Sequence, residues 1–342
     1  MKGLLRFGVA LVAIGVLVLW GAHSAGPQQM PLLALTKYLP YPLYLAPVLV
    51  ACVASLWLTW WWRGVALASL GLTLTVLMGL AWGTPDEGHG RVRFMTYNIK
   101  SYLALQRPGG VAELAQEVNE HQPDILVMQD ASQLASAAQD GPDVVKQVVG
   151  SRHVHHFGQY IVASRWPLRG CQVGGIPILG KSHGFVHCRV VVEGEGGDVE
   201  LNVVTVHLIS PRDGLNAARR EGLSGLDEWQ ENMLSRLQQA GLLAEHLRHI
   251  QGPIVLGGDL NAPETSVVLR TLMNTGLRNA FSSAGRGYGH THGHSLIPGL
   301  SFLRIDHILV SEDIGVVDAF AGGATASQHR PVVADLLLHR QR

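Results

Sequence analysis

The chain has 342 residues, and its 26 Lys and Arg balance 26 Asp and Glu, giving a formal net charge of 0 with histidine neutral. A dedicated binder of a long polyanion presents a basic surface, so this balance argues against one. Three cysteines are too few for a disulfide framework: Cys52 lies in an apolar stretch, while Cys171 and Cys188 could pair in an oxidising compartment or stay as buried thiols.

Apolar residues are spread unevenly. Before Arg91 the only charged side chains are Lys2, Arg6, Lys37, Arg63, Asp86 and Glu87. Residues 4–20, 41–62 and 65–82 each approach the roughly 20 apolar residues that cross a bilayer core as helix. Trp20, the cluster Trp57, Trp60, Trp61 and Trp62, and Trp82 lie near the ends of these stretches, where indole rings favour the headgroup region. Residues 1–85 therefore read as a membrane anchor with three transmembrane helices. Lys2, Arg6 and Arg63 favour a cytoplasmic N-terminus and a cytoplasmic turn between the second and third spans, which places everything after Asp86 outside the cytoplasm. Lys37, in the outer loop, runs against that assignment. A cleaved signal peptide over residues 1–25, with His23-Ser24-Ala25 as a poor cleavage site, is the competing reading.

Residues 86–90 read as a linker, and residues 91–342 as one α/β domain in which short apolar runs alternate with amphipathic stretches. The spacing predicts a strand at 92–98, a helix at 111–121 with Leu114 and Val118 four apart, and a strand at 125–130. Strands at 160–164, 171–178, 185–192 and 199–208 follow. The longest helical signal covers 226–250, with Leu234, Leu237, Leu242 and Leu247 on its apolar positions, and predicts a helix packed on a sheet. A strand rising from 253 to 256, a helix near 266–275 and strands at 305–310 and 332–338 complete the pattern.

Several of these strands end on residues that a core strand would not choose. Leu256-Gly257-Gly258-Asp259-Leu260-Asn261-Ala262-Pro263 delivers a carboxylate and a carboxamide two residues apart, on one face of an extended chain, and Pro263 discourages further ladder. The same residues also suit an ordinary turn. Asn98, Asp130, His207, Asp306 and His329 stand at comparable ends. Taken singly, Asp130 could cap a helix, His207 could be a satisfied core histidine, and Asp306 could pair with Arg304 or Arg330.

Taken together, and in this order, Thr96-Tyr97-Asn98, Pro123-Asp124-Ile125-Leu126 with Gln129-Asp130, Ser164-Arg165-Trp166-Pro167-Leu168, Thr205-Val206-His207-Leu208, Gly258-Asp259-Leu260-Asn261, Arg304-Ile305-Asp306 and Gln328-His329-Arg330-Pro331 resemble the endonuclease/exonuclease/phosphatase superfamily from about Arg91 to the end. The resemblance implies a four-layer α/β sandwich, two packed mixed sheets flanked by helices, with a metal-dependent phosphohydrolase site at one end of the sheets. It makes Asp130 the main ligand of Mg²⁺ with Asn98 beside it, has Asp259 orient or deprotonate the attacking water, and has Asn261 hold the phosphate. His207 and His329 would donate to phosphoryl oxygens, and Asp306 would fix the tautomer of one of them. Two departures stand out: Asp130 where the family usually has Glu, and Gln328 where it usually has Asp. Both reduce negative charge or its reach toward the ion, which predicts a weaker Mg²⁺ requirement and room for Mn²⁺ or Ca²⁺.

Arg212, soon after His207, could clamp a second phosphate or be a plain surface arginine. His290-Thr291-His292-Gly293-His294 reads as a solvated loop rather than a second metal site. A short multi-span anchor joined to such a domain is similar to the VanJ-like membrane proteins linked to teicoplanin resistance. That likeness implies a lipid-linked phosphate, either a polyprenyl pyrophosphate or a phospholipid head group, as substrate and the membrane bilayer as partner. An extracytoplasmic DNA or RNA nuclease is the second enzyme reading, and a catalytically impaired membrane binding module is the third.

Overall fold

The structure, a computed structural model, describes residues 1–24, 31–88, 90–140, 143–178, 182–193, 197–222 and 224–338. Its strands are β1 (Ala81–Trp82), β2 (Arg91–Asn98), β3 (Ile125–Gln129), β4 (His153–Phe157), β5 (Tyr160–Ser164), β6 (Leu168–Gly175), β7 (Gly184–Val192), β8 (Val199–His207), β9 (Ile254–Asp259), β10 (Leu277–Asn279), β11 (Arg286–Gly287), β12 (Asp306–Ser311), β13 (Ile314–Ala321) and β14 (Val332–Leu338). Two six-stranded sheets hold most of them, in the orders β13-β14-β2-β3-β5-β4 and β10-β12-β9-β8-β7-β6. Each sheet is mixed, with one parallel pair at its centre: β2 beside β3 and β8 beside β9. A helical crossover links each pair, Gly110–His121 in the first sheet and Arg212–Glu221 followed by Leu226–Arg248 in the second.

The period of the strands explains the layering. In β2, Val92 and Phe94 point into a core shared with Val186, Val203, Val255 and Ile308 of the opposite sheet. Met95 and Tyr97 point the other way, into a second core with Leu114, Val118 and Val148 of the covering helices. A third core packs Ala240, Leu243 and Leu247 on Val204 and Leu256. Both faces of the central strands are buried, so they read as continuous apolar runs. The expected four-layer arrangement of two sheets flanked by helices is what forms.

The two glycines of β9 are required by this packing. A Cβ at Gly257 would stand 2.6 Å from Phe94 Cε1 across the sheets, and one at Gly258 would stand 2.1 Å from the Val206 carbonyl oxygen. Glycine permits that approach, which brings the tips of β2 and β9 together.

The long helix needs a correction. Its buried stripe is Trp229, Met233, Arg236, Ala240, Leu243 and Leu247, whereas Leu234 and Leu242 face outward. The stripe includes a buried arginine, which hydrophobicity alone does not reveal. The strand expected at 171–178 lies three residues earlier as β6. The strands β4, β10 and β13 gave no clear alternation, and β4 is largely exposed.

The N-terminal region differs more. Lys2–Ser24 is a 23-residue apolar helix, long enough to cross a membrane. The other two expected spans are not α-helices of that length: Pro42–Ser55 has 14 residues, and Trp60–Leu72 has 13 before a five-residue π-helical stretch, Thr73–Leu77. Among the described residues there is one helix of spanning length, not three. Leu56 to Thr59 turn the chain within the second stretch, and the third ends before Trp82, which pairs in β1 with β11 of the α/β domain. The three helices pack side by side through Val9, Ala51, Leu58 and Ala66. The linker is also tied down, since Asp86 pairs with Arg278 and accepts from the Val316 N–H.

Candidate active site

The seven polar strand-end residues converge. Register sets His207, Asp259 and Asp306 side by side across β8, β9 and β12. On the other sheet Asn98 is level with Gln129 at the end of β3, just before Asp130, and His329 lies beyond the end of β2 because β14 pairs Val332 with Thr96. The predicted site is therefore one row of residues along one end of both sheets.

Asp259 is its hub, only 1% exposed. Its Oδ1 accepts from the Asn261 N–H at 2.9 Å, and its Oδ2 accepts from Asn98 Nδ2 at 2.9 Å. The same Oδ2 lies 3.4 Å from His207 Nε2 and 3.8 Å from His329 Nε2. Burial alone would raise this carboxyl, but the charges of His329, His207 and Lys100 and the Asn98 hydrogen bond hold it down at about 2. His329 donates from Nδ1 to Asp306 at 2.9 Å, which settles that Asp306 serves His329. Burial opposes charge on that imidazole, yet Asp306 and Asp259 together raise its pKa above the ordinary value. His207 is held by Gln159, whose Oε1 accepts from Nδ1 at 2.8 Å, and by Tyr160, whose hydroxyl accepts from its backbone N–H at 3.0 Å.

On the opposite side Asp130 has a left-handed backbone, φ 53°. One carboxylate oxygen is paired with Lys100 Nζ, and the other lies 3.5 Å from His207 Nδ1. Burial would raise its pKa, but His207 and Lys100 lower it below the ordinary carboxylate range. Asn98 Oδ1 accepts from the Lys100 N–H at 3.2 Å. Lys100, Asp130, Gln159, His207, Asp259, Asn261 and His329 line an open cleft of about 1320 Å³ together with Tyr38, Arg212 and Gln328, while Asn98 and Asp306 lie buried behind it. Arg212 is exposed at the start of the helix Arg212–Glu221 that overhangs it.

A sequence model of the Endonuclease/Exonuclease/phosphatase family matches residues 95–329, more than half of the chain and the whole of this row. The chain belongs to that family. Members of the endonuclease/exonuclease/phosphatase family are metal-dependent hydrolases of phosphoester bonds, and so is this enzyme. Solved structures share the fold. An endonuclease/exonuclease/phosphatase from Beutenbergia cavernae is 22% identical with TM-score 0.53, covering 73% of this chain and 72% of its own. TDP2 of D. rerio, complexed with single strand DNA product, is 12% identical with TM-score 0.53, covering 73% of this chain and 100% of its own. A mannosyl-6-phosphatase of Bacteroides thetaiotaomicron is 17% identical with TM-score 0.51, covering 72% of this chain and 100% of its own. No curated protein sequence matches the chain.

The donors of this family member fit a hard divalent cation. Oxygen atoms predominate, and the Asp130 side chain stays 23% exposed to the cleft. Asp259, Asp306 and His329 also bring ligand atoms within 4.8 Å of one another. In that trio, however, His329 and Asp306 are already satisfied by each other, so the partly exposed Asp130 is the more open donor, with Asn98 buried behind it and hydrogen-bonded to Asp259 and to the Lys100 N–H.

Residues that the sequence reading passed over complete the site. Lys100 carries a cation to Asp130, and its place two positions after Asn98 was the available signal. His292 lies against His329, with ring centroids 4.6 Å apart and planes tilted by 35°, and donates from Nδ1 to the Gln328 carbonyl at 3.1 Å. Burial and the neighbouring His329 push its pKa down to about 4. The expectation of a solvated histidine loop is corrected: His290 is buried, Thr291 accepts from the Asp306 N–H, and His294 bonds Ser301 and Ser327.

Proposed function

We propose that the enzyme is anchored in a membrane and hydrolyses a lipid-linked phosphate ester or anhydride outside the cytoplasm. One observation carries this reading: the chain begins with an apolar helical bundle whose large side chains face outward, and the segment joining its first two helices reaches the cleft. Phe7 is 65% exposed, Leu49 46% and Trp60 77%, a surface that water does not favour. Tyr38, from the segment between the first two helices of that bundle, lines the same cleft as the reaction centre. Leu296 and Phe302 give the cleft apolar wall beside Arg212 and His207, as a substrate with a charged head and a lipid tail requires. Lys2, Arg6 and Arg63 stand toward one end of the bundle and the catalytic domain at the other, which supports a cytoplasmic N-terminus with one crossing by Lys2–Ser24. Cys171 and Cys188 form a disulfide, which supports an oxidising compartment.

In this reading Asp130 and Asn98 hold a divalent ion, Mg²⁺ or Mn²⁺, with the Gln328 side chain at the cleft beside them. The ion supplies Lewis-acid polarisation of a phosphoryl oxygen. The chain's own groups do the rest. Asp259 accepts from the attacking water and orients it; its low pKa suits orientation better than storage of a proton. His329, kept cationic by Asp306, and His207 donate to phosphoryl oxygens as charge develops. Asn261 positions the phosphate, and Arg212 meets a second one where the substrate is a diphosphate.

The test uses the full chain in vesicles with Mn²⁺ or Mg²⁺, offered a polyprenyl pyrophosphate, a phospholipid and single-stranded DNA. Turnover of a lipid substrate that Asp259→Asn and His329→Ala abolish supports the proposal. Turnover of DNA alone returns the nuclease reading, which the fold shared with a DNA-bound neighbour keeps open. Identical behaviour of wild type and both variants on every substrate leaves only a binding module.

A further inference from the structure

The segment that joins the first two apolar helices reaches the reaction centre. Its turn Leu35–Tyr38 places the Tyr38 ring edge-on to Trp229, 5.7 Å between centroids, with the Arg236 guanidinium 5.5 Å from the Tyr38 ring. Arg236 is 3% exposed, and its hydrogen bonds among the described residues go to neutral groups. Its Nη1 donates to the Asn261 carbonyl at 2.9 Å and also bonds the Tyr38 hydroxyl, and that hydroxyl donates to the same carbonyl at 3.2 Å. The buried guanidinium thus spends Nε on Asn232 Oδ1, at 3.2 Å, and Nη1 on the carbonyl that it shares with a residue of the anchor.

That carbonyl belongs to a residue that needs holding. Asn261 has φ 48°, a left-handed conformation that asparagine tolerates better than most side chains but that still competes with the ordinary regions, so its hydrogen bonds decide whether it is kept. Its N–H donates to Asp259 Oδ1 at 2.9 Å and its Nδ2 to the Leu208 carbonyl at 2.9 Å. The N–H belongs to the 260–261 peptide and the clamped carbonyl to the 261–262 peptide, so the clamp fixes the backbone dihedrals from which the Asn261 side chain projects. Lys37, beside Tyr38, fastens the turn on both sides, donating to the His23 carbonyl at 2.7 Å and the Thr265 carbonyl at 2.9 Å. The first joins it to the end of the spanning helix, and the second to the loop that follows Asn261.

We infer that Tyr38 and Arg236 are positioning residues that clamp Asn261, so that the active centre is complete only when the anchor segment is seated against the catalytic domain. This rests on the proposed role of Asn261 in phosphate hydrolysis. The active site is in this sense built from two parts of the chain, and detaching the anchor loosens Asn261 even though every family motif lies beyond Arg91.

The experiment is a double-variant cycle on the full chain in detergent micelles, with a chromogenic phosphodiester and Mn²⁺. Asn261→Ala is expected to lower kcat about 100-fold, in the range of a lost transition-state donor. Tyr38→Phe, which removes one hydroxyl, is expected to lower kcat about tenfold, the size of one hydrogen bond, with KM and the unfolding midpoint unchanged. In the Asn261→Ala background Tyr38→Phe is expected to have no further effect. If Asn261→Ala leaves kcat intact, the proposed function of this site fails. If Asn261→Ala is slow while Tyr38→Phe matches wild type, or multiplies fully with it, the positioning role is overturned and the function stands. Should Tyr38→Phe lower the unfolding midpoint, the same cycle with Arg236→Lys decides by the same two patterns.

Discussion

The two sides of the active site are built differently. Asp259, Asp306 and His329 form a buried cluster, each at most 3% exposed, in which every carboxylate oxygen has a donor within the protein. Asp130 faces them from the other sheet, partly open to the cleft, with Lys100 on one oxygen. Burial and mutual satisfaction make the first side a rigid, pre-organised acceptor and donor set. The second side holds its carboxylate with a flexible ammonium, which an incoming ion must displace. On the proposed function, the contrast assigns catalysis to the buried cluster and the adjustable affinity for metal to Asp130.

The largest effect should come from the hub. Asp259→Asn keeps the shape of the side chain and removes its charge, and kcat should fall about 1000-fold with the fold intact by circular dichroism. A smaller loss would move the centre of catalysis toward Asp130. Next comes the proton on His329. Because burial is outweighed by Asp306 and Asp259 and its pKa is raised above the ordinary 6.5, kcat/KM should fall as pH climbs through the raised value. The same shift adds stability that is fully present below the unfolded value and is lost as pH rises through the folded one. Asp306→Asn should move that alkaline limb to lower pH and cost about 100-fold in rate; an unmoved limb would detach Asp306 from His329.

The metal side should respond more weakly, and in affinity rather than rate. Lys100→Met should tighten Mn²⁺ binding roughly fivefold by calorimetry, since it removes one partly exposed competitor for Asp130. Asp130→Glu, with a longer reach, should tighten it by a similar factor, and unchanged affinity would refute the account of Asp130 as ligand. The smallest change is expected from Gln328→Asp, about twofold tighter, because that position contributes from the edge of the cleft.

Much of the fold was legible because the central strands are buried on both faces and so read as apolar runs of the right length. The strands β4 and β10 were hidden by exposure or brevity, and β13 by its irregular pairing, with a register shift between Val316 and Asp318. The apolar N-terminal stretches were legible as composition but not as spans, since a turn at Leu56 to Thr59 and the pairing of Trp82 depend on neighbours distant in the chain. In the site, Asn98, Asp130, His207, Asp259, Asn261, Asp306 and His329 could be named in advance, because a polar residue at the end of an apolar strand is a local signal.

By itself, then, the sequence determined the layer architecture, the family and the row of polar strand ends, all of which follow from periodicity and residue type along a short window. Only the tertiary structure decided that Asp306 serves His329, that Lys100 holds Asp130, and that His292 lies against the reaction centre. It also decided that Tyr38 and Arg236 meet at one carbonyl, 198 positions apart in the chain. Those relations are distances between side chains on different elements. They are set when two twisted sheets pack through Gly257 and a buried arginine takes its place in the stripe of a long helix, and no window of sequence contains them.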